Sequence, residues 1–228
     1  PNSGLVEALN SMKFGLALSD PDNPVKAVQI TSSVPEEGKS VLAISLARVM
    51  AASGQKVILV DGDLRRSSIG RKLDLREKHK GLSDLVVAGN PDLSEFMIRD
   101  EKGKVDFMPT GTAQYANATD IFSSHRMQEI VDLLKTEYDL VIIDTPPVMA
   151  VADARIIGRV VDKTLFVVRW DKTPRKVARA AIEQLHRAEV DIAGVVLQQV
   201  DLDRYGRMGY GDSGYYYHYG RYGKYYSG

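Results

Sequence analysis

Residues 27–52 leave few folds open. An apolar run, Ala27 to Ser32, leads into Ser33-Val34-Pro35-Glu36-Glu37-Gly38-Lys39-Ser40, and a helical pattern continues from Lys39 to about Ala52, where Gly54 supplies a stop. In the pattern G-x-x-x-x-G-K-S/T, the backbone N–H groups of such a turn surround phosphate oxygens at a helix N-terminus. The lysine reaches the β- and γ-phosphates and the hydroxyl ligates magnesium. The match is seven positions long, with Ser33 in place of the first glycine. An apolar strand before the turn and an amphipathic helix after it are the context that such a loop requires.

The same alternation runs through the rest of the chain. Strands are expected at Lys56 to Val60, Val105 to Met108, Leu140 to Ile143, Thr164 to Trp170 and Ile192 to Gln198. Helices are expected at about Ser123 to Thr136 and Thr173 to Ala188, with an outer helix at Glu7 to Leu18 before the first strand. The strands are almost continuously apolar, as in a parallel sheet covered on both faces. The fold class read from this is α/β, a mostly parallel central sheet flanked by helices on both faces, with one domain over residues 1–203. No internal repeat interrupts it.

Two further strands end in acids. Leu140-Val-Ile-Ile-Asp144-Thr-Pro-Pro147 sends a carboxylate out of the carboxyl end of a buried strand, where open α/β sheets bind ligands. Val57-Ile-Leu-Val-Asp61-Gly-Asp63-Leu-Arg65-Arg66 does the same with two acids and an arginine pair. A lone strand-terminal Asp is more often a turn former. Three such acids on two strands beside the loop read instead as a magnesium site, with Ser40, Asp61 and Asp144 around the ion, several of them through water.

Thirty acidic and thirty basic side chains cancel, so no general electrostatic footprint for nucleic acid or an anionic membrane surface is present. No cysteine is available for disulfides or thiolate chemistry, and the four histidines, at 79, 125, 186 and 218, lack metal-ligand spacing. No run approaches the ~20 apolar residues of a membrane span. Residue 1 is proline, which is compatible with a longer parent chain and an upstream membrane segment. Composition shifts at about residue 204. Nine of the eleven tyrosines fall at 205–228: Tyr205, Tyr210, Tyr215, Tyr216, Tyr217, Tyr219, Tyr222, Tyr225 and Tyr226. Residues 204–228 also hold seven glycines and no Leu, Ile or Val, so the tail is expected to be disordered with its phenols accessible.

Taken together, the loop, the Asp61-x-Asp63-x-Arg65 strand, the Ile142-Ile143-Asp144-Thr-Pro-Pro strand and the tyrosine cluster resemble the bacterial tyrosine kinases of capsule and exopolysaccharide systems. In that family the three segments are the Walker A, Walker A′ and Walker B motifs of a P-loop NTPase, and the tail tyrosines are autophosphorylated. The resemblance implies ATP and Mg²⁺ and a cytoplasmic domain at the inner face of the membrane. It also implies a membrane chain-length regulator, fused upstream or separate, and a ring of unphosphorylated chains that phosphorylation takes apart. Ser33 to Val41 would cradle the nucleotide, Lys39 would hold the β- and γ-phosphates, and Asp144 would organise the water around the metal. Asp61 would accept the phenol proton with Asp63 beside it. Arg65 either positions phosphate or closes a structural ion pair. Three departures stand out. Asn10 and Lys13 replace the arginines of the Glu-x-x-Arg-x-x-Arg ring helix, here beginning at Glu7, so association is expected to be weak. Glu36 stands at a loop position usually held by glycine, and Gln198 stands where an asparagine tends to read adenine.

Two other readings share part of this evidence. MinD/ParA-type partition ATPases have the same fold and strand motifs, but they carry a lysine where Val34 stands and lack a tyrosine tail. A nucleotide-sensing scaffold would bind ATP and recruit partners through the tail without moving phosphate.

Overall fold

The computed structural model describes residues 3–73, 75, 79–88, 92–100, 104–113, 117–201 and 204–205. The strands are β1 (Ala27–Ser32), β2 (Val57–Asp61), β3 (Ile98–Asp100), β4 (Val105–Met108), β5 (Leu140–Asp144), β6 (Lys163–Arg169) and β7 (Ile192–Gln198). Among the described residues they form one sheet in the order β3-β4-β2-β5-β1-β6-β7, and every pairing is parallel except that of β3 with β4. The helices are α1 (Ser3–Ser19), α2 (Lys39–Ala52), α3 (Ile69–Lys72), α4 (Leu82–Val87), α5 (Ala118–Phe122), α6 (His125–Glu137), α7 (Asp153–Ile157) and α8 (Arg175–Arg187).

The apolar character of the strands has the expected cause. Along β2, Val57 and Leu59 face one cluster with Leu9 and Leu16 of α1 and Leu42 and Leu46 of α2. Ile58 and Val60 face the other side, with Leu82 of α4 and Ile130 and Leu134 of α6. A third cluster packs Phe166 of β6 against Ala181 and Leu185 of α8. Each fully buried side chain such as Leu46, Ile58 or Phe166 contributes about 1.5–3 kcal/mol relative to exposure. Ser124 starts α6 by accepting a hydrogen bond from the Met127 N–H at 3.2 Å, and Pro174 stands at the N-terminal boundary of α8.

Parallel registry aligns the ends that matter. Ile30 of β1 and Asp61 of β2 both lie opposite Asp144 of β5, so the loop after β1 and both acidic strand ends meet at one edge of the sheet. β2 and β5 run through their aspartates rather than stopping before them. Trp170 falls outside β6, in the turn before α8. The composition-based tail begins with an ordered turn. Asp201 accepts from the N–H of Arg204 through its side chain, at 3.0 Å, and from that of Tyr205 through its carbonyl, at 2.8 Å. Arg204 pairs with Asp171 at 2.6 Å and lies over Trp170 at 5.8 Å, while Tyr205 meets the same indole edge-on at 6.4 Å. The other eight tail tyrosines, from Tyr210 to Tyr226, lie outside the described residues.

Candidate active site

The loop folds around its own glutamate. Glu37 is 1% exposed, and its carboxylate accepts from the Ser33 hydroxyl at 2.8 Å and from the Val34 N–H at 2.7 Å. It also accepts from the Arg169 N–H at 3.3 Å and from the Thr173 hydroxyl. Glu37 therefore faces away from the cleft and ties the loop to the turn between β6 and α8. Two residues of the loop are left-handed, Glu36 at φ 67° and Gly38 at φ 98°. Gly38 adopts this conformation freely. For Glu36 it costs about 1–2 kcal/mol, so the glycine common at this position in related loops has a backbone reason. The turn leaves the first N–H groups of α2 pointing out of the helix without intrahelical acceptors, as a phosphate group requires.

A cleft of about 580 Å³ opens in front of them, lined on the loop side by Pro35, Glu36, Gly38, Lys39, Ser40 and Val41. Ser33 is buried behind the loop and Val34 half-buried. Lys39, 9% exposed, places its ammonium 3.5 Å from Asp144 and 3.7 Å from Asp63. Asp61 and Asp144 are fully buried, and both carboxyls are pushed upward. Burial, then the charge of Asp144, takes Asp61 to about 7, against the pull of Ser67 and the Asp63 N–H. Burial takes Asp144 to about 6, opposed by Lys39 and the Ser40 hydroxyl. The segment between the acids admits only glycine. A Cβ on Gly62 would stand 2.9 Å from the Asp144 carbonyl oxygen, which instead accepts the Gly62 N–H at 2.8 Å.

Several residues carry the site without having been singled out in the sequence. Ser67 donates to Asp61 at 2.7 Å, and Ser68 donates to Ser40 at 2.7 Å. The two serines directly follow the Asp-Gly-Asp-Leu-Arg-Arg run, a polar extension that could have drawn notice. Arg65 closes an ion pair, its Nε 3.0 Å from the buried carboxylate of Asp153, donates to Thr119 and Asn117, and also lines the cleft. Gln198 packs its stem against Gly38, but Gln199, at φ 59°, is the glutamine that lines the cleft.

The donor set fits a nucleoside triphosphate with magnesium. Asp144 Oδ2 is buried with no hydrogen-bond partner among the described residues, which suits a bound water or ion at that spot. No three acids or histidines among the described residues converge to hold an ion by themselves, so phosphate oxygens and water would complete its shell.

Comparison with known proteins agrees with this geometry. An AAA domain model matches residues 30–174. The putative tyrosine-protein kinase EpsB of Ralstonia solanacearum is 34% identical over 98% of this chain, which spans only 29% of that relative's length. Tyrosine-protein kinase YwqD of Bacillus subtilis is 32% identical over 92% of this chain and 87% of its own. Among solved structures, the kinase domain of the Escherichia coli tyrosine kinase ETK superposes with a TM-score of 0.77 at 31% identity, covering 86% of this chain and 77% of that one. MinD from Pyrococcus horikoshii, solved with Mg-ADP, superposes at 0.61 with 20% identity over 75% of this chain and 69% of its own, a likeness of fold alone. The domain model covers most of the sheet and YwqD aligns along most of both chains, so the chain belongs to the bacterial tyrosine-protein kinase family, as its P-loop catalytic domain.

Proposed function

We propose that this domain transfers the γ-phosphoryl group of ATP to the phenol oxygens of its own tail tyrosines, Tyr205, Tyr210, Tyr215, Tyr216, Tyr217, Tyr219, Tyr222, Tyr225 and Tyr226. The observation that carries this reading is the convergence of Lys39, Asp61, Asp63 and Asp144 on the phosphate loop in a chain that also supplies the acceptors. In the transfer the bond from the γ-phosphorus to the β–γ bridging oxygen breaks, a bond to the phenol oxygen forms, and ADP leaves. The phenol proton passes to Asp61. Asp61 stands at the end of β2, opposite Asp144 and two residues before Asp63, a carboxylate positioned to take it. Lys39 and the N–H groups at the start of α2 hold the β- and γ-phosphates against the charge that develops in the loose transition state. Ser40 and Asp144 hold the Mg²⁺ that accompanies the nucleotide, the ion supplying charge neutralisation on the phosphates. Asp63, 3.7 Å from the Lys39 ammonium, helps Asp144 keep it in place. Gln199, with Gln198 behind it, faces the base.

By the same reading the acceptor tail comes from a neighbouring copy, unphosphorylated chains associate, and a membrane chain-length regulator of a capsule or exopolysaccharide system holds the domain at the cytoplasmic face of the membrane. No helix among the described residues is long and apolar enough to cross a membrane, so that anchorage would come from the partner or from a fused segment. Incubation with γ-labelled ATP, followed by phosphoamino-acid analysis, tests the reading. Label on tyrosine supports it. Label only in free phosphate would favour a MinD-type ATPase, to which Val34 in place of a loop lysine is ill suited, and no label at all would favour a nucleotide-sensing scaffold.

A further inference from the structure

One wall of the cleft is left unused by the residues that handle the nucleotide. In the sheet order β2-β5-β1-β6-β7, the ends of β2 and β7 lie on opposite sides of the loop that follows β1. Gln199 lines the cleft from the β7 side, and Arg66, Ser68, Arg71 and Lys72 line it from the β2 side. Arg66, Arg71 and Lys72 are exposed, and their head groups form no ion pair among the described residues. The Arg66 contact is made by its main-chain N–H, to Asp63 at 2.9 Å, and Arg71 reaches only the Ser67 carbonyl at 3.4 Å. Their neighbour Arg65 is held by Asp153. Of the acids lining the same cleft, Asp63 faces Lys39 and Glu36 sits on the loop. A chain with no net charge thus places three exposed cations, without an ion-pair partner among the described residues, along the cleft that the phosphate loop opens onto.

The unmodified tail is a poor match for this wall. Residues 204–228 carry Arg204, Arg207, Arg221 and Lys224 against the single acid Asp212, so the tail arrives positively charged. Phosphotyrosine reverses that, since each adds about 1.5–2 negative charges and three strong acceptor oxygens suited to arginine. Spacing is favourable too. Between Tyr215 and Tyr226 successive tyrosines are one to three residues apart, so a phosphotyrosine two to four residues from a target lies roughly 7–14 Å from it along extended chain, the scale of a cleft this size.

We propose that Arg66, Arg71 and Lys72 form a docking site for a phosphotyrosine already present on the acceptor tail, so that one phosphorylated tyrosine holds the next at the transfer position. The proposal rests on the kinase reading and adds an order to it: the first transfer is slow, the next ones are assisted, and the repulsion that separates the chains sets in only once several tyrosines carry phosphate.

The test uses a synthetic peptide of residues 204–228, unmodified or carrying a single phosphotyrosine at Tyr222, with the intact domain and with a triple R66A/R71A/K72A variant. Fluorescence anisotropy without nucleotide should show the phosphopeptide binding roughly tenfold tighter than the unmodified one. That gap should shrink below about twofold in the variant and on raising salt from about 0.05 to 0.3 M. With Mg·ATP, the KM for the phosphopeptide should fall by a similar factor in the intact domain only, while the variant keeps its kcat on the unmodified peptide and its affinity for Mg·ADP. Equal affinities for the two peptides, or a gap that survives in the variant, would overturn the proposal. So would a loss of Mg·ADP affinity in the variant, which would assign these cations to the nucleotide. Absence of transfer to either peptide would instead sink the kinase reading, with the anisotropy comparison still deciding the docking site.

Discussion

Asp61→Asn should make the nucleotide-free protein more stable while it stops transfer. The folded Asp61 carboxyl titrates at about 7, whereas an unfolded chain releases the same proton near 3.8. Between those values the folded protein binds a proton that the unfolded chain has given up, so a raised folded pKa means stability that is complete below about pH 4 and lost as pH rises to about 7. The gap corresponds to about 4 kcal/mol at ~1.36 kcal/mol per pH unit, and sharing of charge with Asp144 makes about 2–4 kcal/mol the expected penalty. An asparagine does not ionise, and its amide oxygen can still accept the Asp63 N–H that now reaches Asp61 at 3.2 Å. The variant should therefore gain about 2–4 kcal/mol over the parent above pH 7, with the two converging near pH 4. Urea unfolding from pH 4.5 to 8, followed by the emission of the single tryptophan, Trp170, measures this without nucleotide or magnesium. Equal or lower stability of Asp61→Asn at pH 7.5 would refute the claim that this carboxylate is held under electrostatic stress. The same preparation should bind Mg·ADP within a few-fold of the parent, whereas Asp144→Asn, which removes the acid beside Lys39 and Ser40, should bind it at least about tenfold more weakly.

Lys39→Met should abolish phosphotyrosine, and it should also cost stability in a pH-dependent way. It removes the cation 3.5 Å from buried Asp144, whose folded pKa then rises further, so the loss should be about 1–3 kcal/mol at pH 8 and small at pH 5 in thermal melts. Glu37→Ala leaves the Val34 and Arg169 N–H groups and two hydroxyls without their shared acceptor. A loss of about 3 kcal/mol in urea unfolding and a weaker Mg·ADP affinity are expected, and retention of both would show that the latch between loop and β6 is dispensable. Replacing Arg204 and Tyr205 by alanine should change Trp170 emission, because these two side chains touch the indole, and an unchanged spectrum would show that the turn at residues 201–205 is not held there.

Much of the architecture is legible in the residues because long periodic segments report burial directly. Both faces of β1, β2 and β5 are covered, so their sequences are continuously apolar, and parallel registry then carries Asp61 and Asp144 to adjacent positions. What escapes is short. β3 has three residues and joins as an antiparallel edge, and α3, α4, α5 and α7 have four to six residues each, fewer than two turns, too few to show a helical period. Among the site residues, the loop and the strand-terminal acids follow from motif spacing. The inward turn of Glu37 does not, because its partners Arg169 and Thr173 are more than a hundred residues away. The Arg65–Asp153 pair, 88 residues apart, and the exchange of Gln198 for Gln199 at the cleft are hidden for the same reason: both depend on where the chain returns after crossing the sheet.

The central claim, that this site phosphorylates tyrosines of the tail of a neighbouring copy, is tested most directly by mixing two inactive halves. Lys39→Met protein supplies acceptors without a working site, and protein lacking residues 204–228 supplies a site without acceptors. With Mg·ATP, mass spectrometry should find phosphotyrosine on the tail of the Lys39→Met chain and on neither protein incubated alone. Absence of phosphotyrosine in the mixture, at concentrations where the full-length protein labels itself, would contradict transfer between chains, and absence in the full-length protein as well would contradict the kinase assignment itself.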